Sequence, residues 1–168
     1  MTQIDFPEIV LKEVRQSLLN TKTRISTAES VTAGFLQLAC SQMEGATEIF
    51  AGGITAYSID TKINTLEVDA ELAERCDCVS PTTTEEMALA AGRMFHTDWS
   101  VATTGYATVV PESKGKLFAF VSVAYKQEIL LTSTIELSST IGMQEAQFRY
   151  SIKALEILNT LLKNKGSQ

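Results

Sequence analysis

The stretch TAESVTAGF, Thr27 to Phe35, joins a strand-like run to a helix-like run, and its reading decides both the fold and the site. Residues 23–28 (TRISTA) have the composition of a short strand, and residues 31–43 are rich in Ala, Leu and Phe, as a helix requires. A strand that passes directly into a helix is the building unit of an open α/β sheet, where ligands bind at the carboxyl ends of the strands. The junction has no proline and one glycine, Gly34; among small residues it offers Glu29, Ser30 and Thr32. Three roles are open to Ser30: a nucleophile, an anion-binding hydroxyl, or a cap for the helix that follows. The amides of residues 31–34, with a helix dipole behind them, suit an oxyanion or a phosphate.

Working outward, residues 6–20 read as a helix from Val10, Val14 and Leu18, with Pro7 in its first turn. EGAT (44–47) reads as a turn. Residues 48–57 read as a strand in which Gly52-Gly53 marks a bulge or a close backbone approach. Residues 60–66 and 69–76 are two short helices. In VSPTTTEEMALAAGRMF (79–95), Ser80 is a cap and Pro81 a first-turn residue. Thr82/Glu85 and Thr83/Glu86 have capping-box spacing, and Met87, Ala91 and Met94 form the core face. Residues 99–105 form a strand ending in glycine. The runs 117–125 and 128–137 lie at hairpin distance, so they pair antiparallel. Phe148, Ile152, Leu155, Leu158 and Leu162 mark a long closing helix, with NKGSQ (164–168) as a frayed tail. The expected fold is a three-layer α/β/α sandwich with a mixed, mainly parallel sheet and a late antiparallel hairpin. It forms a single domain over 1–168, with its core at about 6–163.

The chain of 168 residues carries a net charge of −6. That leaves no basic surplus for neutralising nucleic-acid phosphates, so no nucleic-acid partner is expected. No apolar run is long enough to span a membrane. The first residues, MTQIDFPEIVLKEV, lack a basic start and an apolar signal core, so a cytoplasmic location is expected. Three irregularly spaced cysteines, Cys40, Cys76 and Cys78, fit reduced thiols. One histidine, His96, and a CDC triplet do not assemble zinc ligands, so no metal is expected. His96 reads as a surface residue that ends a helix. Gly52 and Gly53 make neither a dinucleotide fingerprint nor a P-loop, and no cofactor is expected.

With a single histidine, a serine nucleophile needs another base. A lysine serves when burial lowers its pKa. Lys62 lies at the mouth of AYSIDTK beside Tyr57, which relays a proton or orients the amine; a solvated lysine paired with Asp60 is the alternative. Thr103-Thr104-Gly105 ends a strand and suits ligand contact or a turn. Arg149, one position off the apolar stripe of the last helix, is a phosphate ligand or a solvated arginine.

AESVTAG, GGITAYSIDTK, VS at 79–80 and TTGYA stand in the order and spacing of the CinA C-terminal domain family, which the chain resembles over nearly its whole length. The resemblance implies a nicotinamide mononucleotide deamidase that yields nicotinic acid mononucleotide and ammonia without a metal. It implies Ser30 as nucleophile, Lys62 as its base and Tyr57 in support of the pair. It also implies substrate contacts at Thr32, Ala33 and Gly34 through backbone amides, at Thr47, and at Thr104 and Gly105. Arg149 matches a later family arginine, and a homodimer fits the family. The departures are selective. The family's Cys-Thr-Gly-Gly is here Val31-Thr32-Ala33-Gly34, and an asparagine is replaced by Ile59. A glycine-rich loop is here Gly105 to Val109, and a Gly-Asp-Arg motif is here Gly142-Met143-Gln144. The expected partner is a small-molecule nucleotide or amide substrate. The alternative is a catalytically degenerate member that serves as a binding or interaction module.

Overall fold

The computed structural model describes residues 4–166. In chain order the elements are α1 (Glu8–Thr21), β1 (Ile25–Glu29), α2 (Phe35–Ser41), α3 (Ala46–Ile49), β2 (Phe50–Thr55), α4 (Ile59–Leu66) and α5 (Ala70–Arg75). There follow α6 (Pro81–Phe95), β3 (Trp99–Gly105), β4 (Leu117–Tyr125), β5 (Glu128–Leu137) and α7 (Met143–Gly166). The sheet order is β2-β1-β3-β4-β5. β1 pairs parallel with β2 and β3; β4 pairs antiparallel with β3 and β5, so β4 alone is reversed. The mixed sheet, mainly parallel in strand direction, and its late hairpin are as the sequence predicts.

The two faces of the sheet are packed differently. Toward α1, α2 and α7 the strands send Ile25, Trp99, Val101, Val121 and Val123 into a large apolar core with Leu18, Tyr150 and Leu158. Toward α4, α5 and α6 they present small residues, Ala28, Ala102 and Ala124, against Ala88 and Ala91. Small residues on both sides let α6 lie close to the sheet. A Cβ added at Gly92 would come within 2.6 Å of the Gln127 side chain. The paired glycines of β2 fulfil both sequence readings. The β1–β2 register shifts between Ile25 and Ser26, opposite Phe50 and Gly52, which is a bulge. Gly52 sits at φ 144, and a Cβ at Gly53 would collide with Thr27 and Gln37.

Several local expectations are corrected. Pro7 stands just before α1 as its cap position rather than inside it. EGAT is not only a turn: Ala46–Ile49 is a short helix, and β2 begins after it, at Phe50. Met94 lies exposed, because α6 buries the stripe through Met87, Ala88 and Ala91. Neither capping-box pair forms at α6. Glu86 accepts from the amide of Asp69 and Glu85 from Thr132, both contacts across the fold. α7 runs on through Gly166, so the tail expected at 164–168 is helical over its first three residues; 167 and 168 lie outside the described residues. His96 does end α6, exposed and in the left-handed conformation. Among the described residues no helix is long and apolar enough to cross a membrane.

Candidate active site

The opening stretch does not become the predicted helix at residue 31. β1 stops at Glu29, and the chain makes an excursion from Ser30 to Gly34 before α2 starts at Phe35. Ala33 takes φ 50 and Gly34 φ 102, two successive left-handed residues that no helix start can include. Ser30 therefore does not cap α2, whose cap position is Gly34. The capping is done by Glu29. Its buried carboxylate accepts from Gly34 N at 2.9 Å, Leu36 N at 3.1 Å, Gln37 N at 2.8 Å and the Thr32 hydroxyl at 2.6 Å. This overturns the expectation that the amides of Ala33 and Gly34 cradle a ligand. Gly34 N is given to Glu29, and Ala33 N donates to Ser30 O at 3.2 Å. Thr32 turns its hydroxyl inward, hydrogen bonded to Glu29 and to Thr103 at 2.8 Å. Among the described residues the amides of Val31 and Thr32 meet no protein acceptor.

The site lies at the carboxyl ends of β1 and β3. The chain leaves β1 for α2 on one face and returns to β3 from α6 on the other, the arrangement that opens a crevice in an α/β sheet. A cleft of about 180 Å³ opens there. The structure brings Ser30, Tyr57, Lys62, Thr104 and Gly105 together on its walls, with Val31, Ile59, Asp77, Val79, Tyr106, Ala107 and Gln147. Ser30 N is fixed to Thr103 O at 2.9 Å. Lys62, on α4, is almost fully buried, and its Nζ donates to the backbone carbonyl of Tyr57 at 3.4 Å. Tyr57 thus orients the lysine through its main chain, while its side chain lies exposed at the cleft mouth. Burial lowers the Lys62 pKa below its ordinary value, against the opposing pull of the Cys78 and Asp77 charges. Among the described residues no hydrogen bond joins Ser30 Oγ to Lys62 Nζ.

Behind the lysine the α5–α6 loop is strained. Asp77 and Cys78 sit at φ 53 and φ 55, a conformation that costs of order 1–3 kcal/mol per non-glycine residue. Cys78 N to Ala73 O at 2.9 Å, Val79 N to Cys76 O at 2.8 Å and the Thr104 hydroxyl to Cys78 O at 2.9 Å hold it. Thr104 thus spends its hydroxyl proton on this loop. Tyr106 OH donates to Asp77 Oδ2 at 3.4 Å; burial, together with that carboxylate, pushes the phenol up to about 12. Gly105 is also a packing glycine, since a Cβ there would strike Phe118 O and Ala119.

Two expected residues are not brought to the cleft. Thr47 lies exposed on α3, ahead of β2, and so at the opposite end of the sheet. Arg149 is exposed on α7 and paired with Glu145 at 2.5 Å; Gln147, two residues earlier and turned by about 200° at 100° per residue, is the α7 residue that lines the cleft. Sequence reasoning missed Glu29 as a cap, and it missed Asp77 and Gln147 as wall residues. Glu29 had one usable signal, a carboxylate immediately before a run of small residues. Asp77 and Gln147 had none, because their elements meet the site only through tertiary packing. Among the described residues no three His, Cys, Asp or Glu side chains gather into a metal-holding group.

A sequence model of the CinA C-terminal domain matches residues 8–162. The chain is 31% identical over 160 residues to a CinA-like protein of Syntrophomonas wolfei, covering 95% of this chain and 38% of that protein. It is 35% identical over 144 residues to one of Mycolicibacterium gilvum, covering 84% and 34%. It thus spans well under half the length of these relatives. The crystal structure of a competence or damage-inducible protein from Enterobacter asburiae superposes with a TM-score of 0.86 at 26% identity, covering 95% of this chain and 99% of that one.

Proposed function

The chain belongs to the CinA C-terminal domain family, and from that premise we propose that it hydrolyses a linear amide by a serine–lysine mechanism, with nicotinamide mononucleotide as the substrate that the family resemblance implies. The observation that carries the reading is that Ser30 shares one small cleft with a buried lysine whose pKa is pushed down.

Burial favours the neutral amine, the form able to accept a proton. Ser30 Oγ attacks the carboxamide carbon as its proton passes to Lys62 Nζ, giving a tetrahedral oxyanion. The amide of Val31, on the cleft wall beside Ser30 and, among the described residues, without a protein acceptor, is the donor for that oxygen. Collapse breaks the C–N bond; the ammonium of Lys62 returns its proton to the leaving nitrogen, and ammonia departs. Water, deprotonated by the same lysine, then cleaves the Ser30 ester and releases the carboxylate product. Serine and lysine approach each other in the substrate complex, since catalytic hydrogen bonds are often long before substrate binds. The cleft is smaller than the ~300–1,000 Å³ of most small-molecule pockets. It therefore seats the amide end of the substrate and leaves the remainder at its mouth.

The test is ammonia release from nicotinamide mononucleotide. Wild-type protein releases it, and Ser30→Ala, with an unchanged fold by circular dichroism, loses at least about 10³-fold in kcat. Undiminished release by Ser30→Ala would remove the serine from the mechanism. One observation favours a second reading, a binding module without turnover: Arg149, the residue matched to a family arginine, faces solvent away from the cleft. That reading expects no ammonia from wild-type protein and a raised Tm with the nucleotide.

A further inference from the structure

We infer that Glu29 is a positioning residue for Ser30: its buried carboxylate, rather than a bound anion, fills the start of α2 and fixes the turn that presents the nucleophile. This rests on the amide-hydrolase reading of the cleft.

The geometry begins with the pleat. Alternation along β1 puts Glu29 on the same face as Ile25, toward α2, and its neighbour Ala28 toward α6. From there one side chain gathers donors three, five, seven and eight residues downstream. The main chain of Glu29 and Ser30 is fixed at the same time by both neighbouring strands. Ala56 N donates to Glu29 O at 2.8 Å, and Ser30 N donates to Thr103 O. The turn is thus pinned before Ser30 by β2 and β3 and after it by the Glu29 carboxylate. Among the described residues nothing hydrogen-bonds the Ser30 hydroxyl, so its direction follows from the backbone alone. Whatever holds the turn aims the serine.

The carboxylate also sorts the amides. It takes those of Gly34, Leu36 and Gln37, the cap position and first turn of α2, and leaves those of Val31 and Thr32, earlier in the turn. An anionic substrate group at the start of α2 would meet a carboxylate already seated there. The amide left for an oxyanion on the cleft wall is that of Val31, next to Ser30.

Glutamine at this position has nearly the same shape but the wrong chemistry. Both Glu29 oxygens accept from backbone N–H groups, so the –NH₂ of glutamine faces a donor in either orientation. The experiment measures kcat and KM for ammonia release from nicotinamide mononucleotide by wild-type and Glu29→Gln protein, with thermal unfolding in parallel. The expected result is a folded variant whose kcat falls about 100-fold, the cost of misplacing a reacting group by about 1 Å. KM stays within about threefold, because the rest of the cleft still binds substrate. A purely structural role would lower Tm without this split. A folded Glu29→Gln with kcat within about threefold of wild type overturns the inference and leaves the amidase reading standing. No ammonia from wild-type protein overturns both. Should Glu29→Gln not fold, Thr32→Val and Thr32→Ser replace it. Valine removes one donor to the carboxylate and lowers kcat about tenfold, and serine restores it; wild-type kcat in Thr32→Val overturns the inference.

Discussion

The helices α6 and α2 face the same problem at their starts and solve it differently. Ser80 precedes α6 in an extended conformation, its hydroxyl accepts from Thr83 N at 3.1 Å, and Pro81 fills the first position. Everything needed lies within four consecutive residues. α2 is capped from the preceding strand by Glu29, across five residues that are neither strand nor helix. A local cap closes a helix and leaves nothing over. A cap reached from the strand frees the intervening residues from capping, and in this chain those residues include Ser30. The same hydroxyl chemistry that makes serine a good cap at position 80 is left exposed to a ligand at position 30.

The comparison breaks most severely at Lys62, since Ser30 without its base is one more unactivated hydroxyl. Lys62→Met is expected to lower kcat by about 10²–10⁴, the usual weight of a general base. It is also expected to raise Tm at neutral pH. Burial lowers the folded-state pKa of Lys62 below the ordinary 10.5. Between the two values the unfolded chain holds the extra proton, so stability rises with pH there. The destabilisation is fully present below the folded pKa and fades as pH approaches 10.5. The Tm advantage of Lys62→Met should therefore shrink with rising pH, while wild-type turnover rises as the amine deprotonates. A variant less stable than wild type at pH 7 would show that Lys62 is held as a welcome ammonium and is no base.

The contrast between the two caps also explains what could be read from the sequence. The layers and the late hairpin follow from periodicity and hairpin length, which are local, and β3, β4, β5, α6 and α7 stand close to where the pattern puts them; the strand order β2-β1-β3-β4-β5 carries no such local signal. Ser80 was legible because its partner is three residues away. The start of α2 was not, because the helix-like composition of 31–43 conceals two left-handed residues that only the Glu29 carboxylate compensates. Ser30, Lys62, Tyr57, Thr104 and Gly105 were legible as a set, since each ends or follows a strand on one side of the sheet. Thr47 was placed by likeness of spacing alone, and Arg149 by that likeness together with its position beside the apolar stripe of the last helix. The geometry sends one to the far end of β2 and the other to the outer face of α7. Asp77 and Gln147 reach the cleft from elements whose docking no local pattern encodes.

The ordinary cap offers the sharper control. Ser80→Ala removes the acceptor for Thr83 N and is expected to cost about 1 kcal/mol, or about 2–4 °C in Tm for a domain of this size. Its kcat should stay within about threefold, far from the effect expected at Glu29. A large loss of kcat in Ser80→Ala would mean that the start of α6 also positions catalytic groups, through Val79 in the cleft wall, and the two caps would no longer be opposites.

The smallest effect tests the strain in the turn itself. Ala33 is exposed and held at φ 50, a conformation that costs an L-residue roughly 1–2 kcal/mol. Glycine removes that strain but makes the unfolded chain more flexible, at a cost of about 0.4–1 kcal/mol. The balance predicts that Ala33→Gly stabilises by about 0.5 kcal/mol, read as a small rise in Tm. An exposed methyl group has little packing to lose, so a fall in Tm would have to come from elsewhere. It would mean that Ala33 stiffens the excursion, and that the Glu29 carboxylate alone does not hold the turn in place.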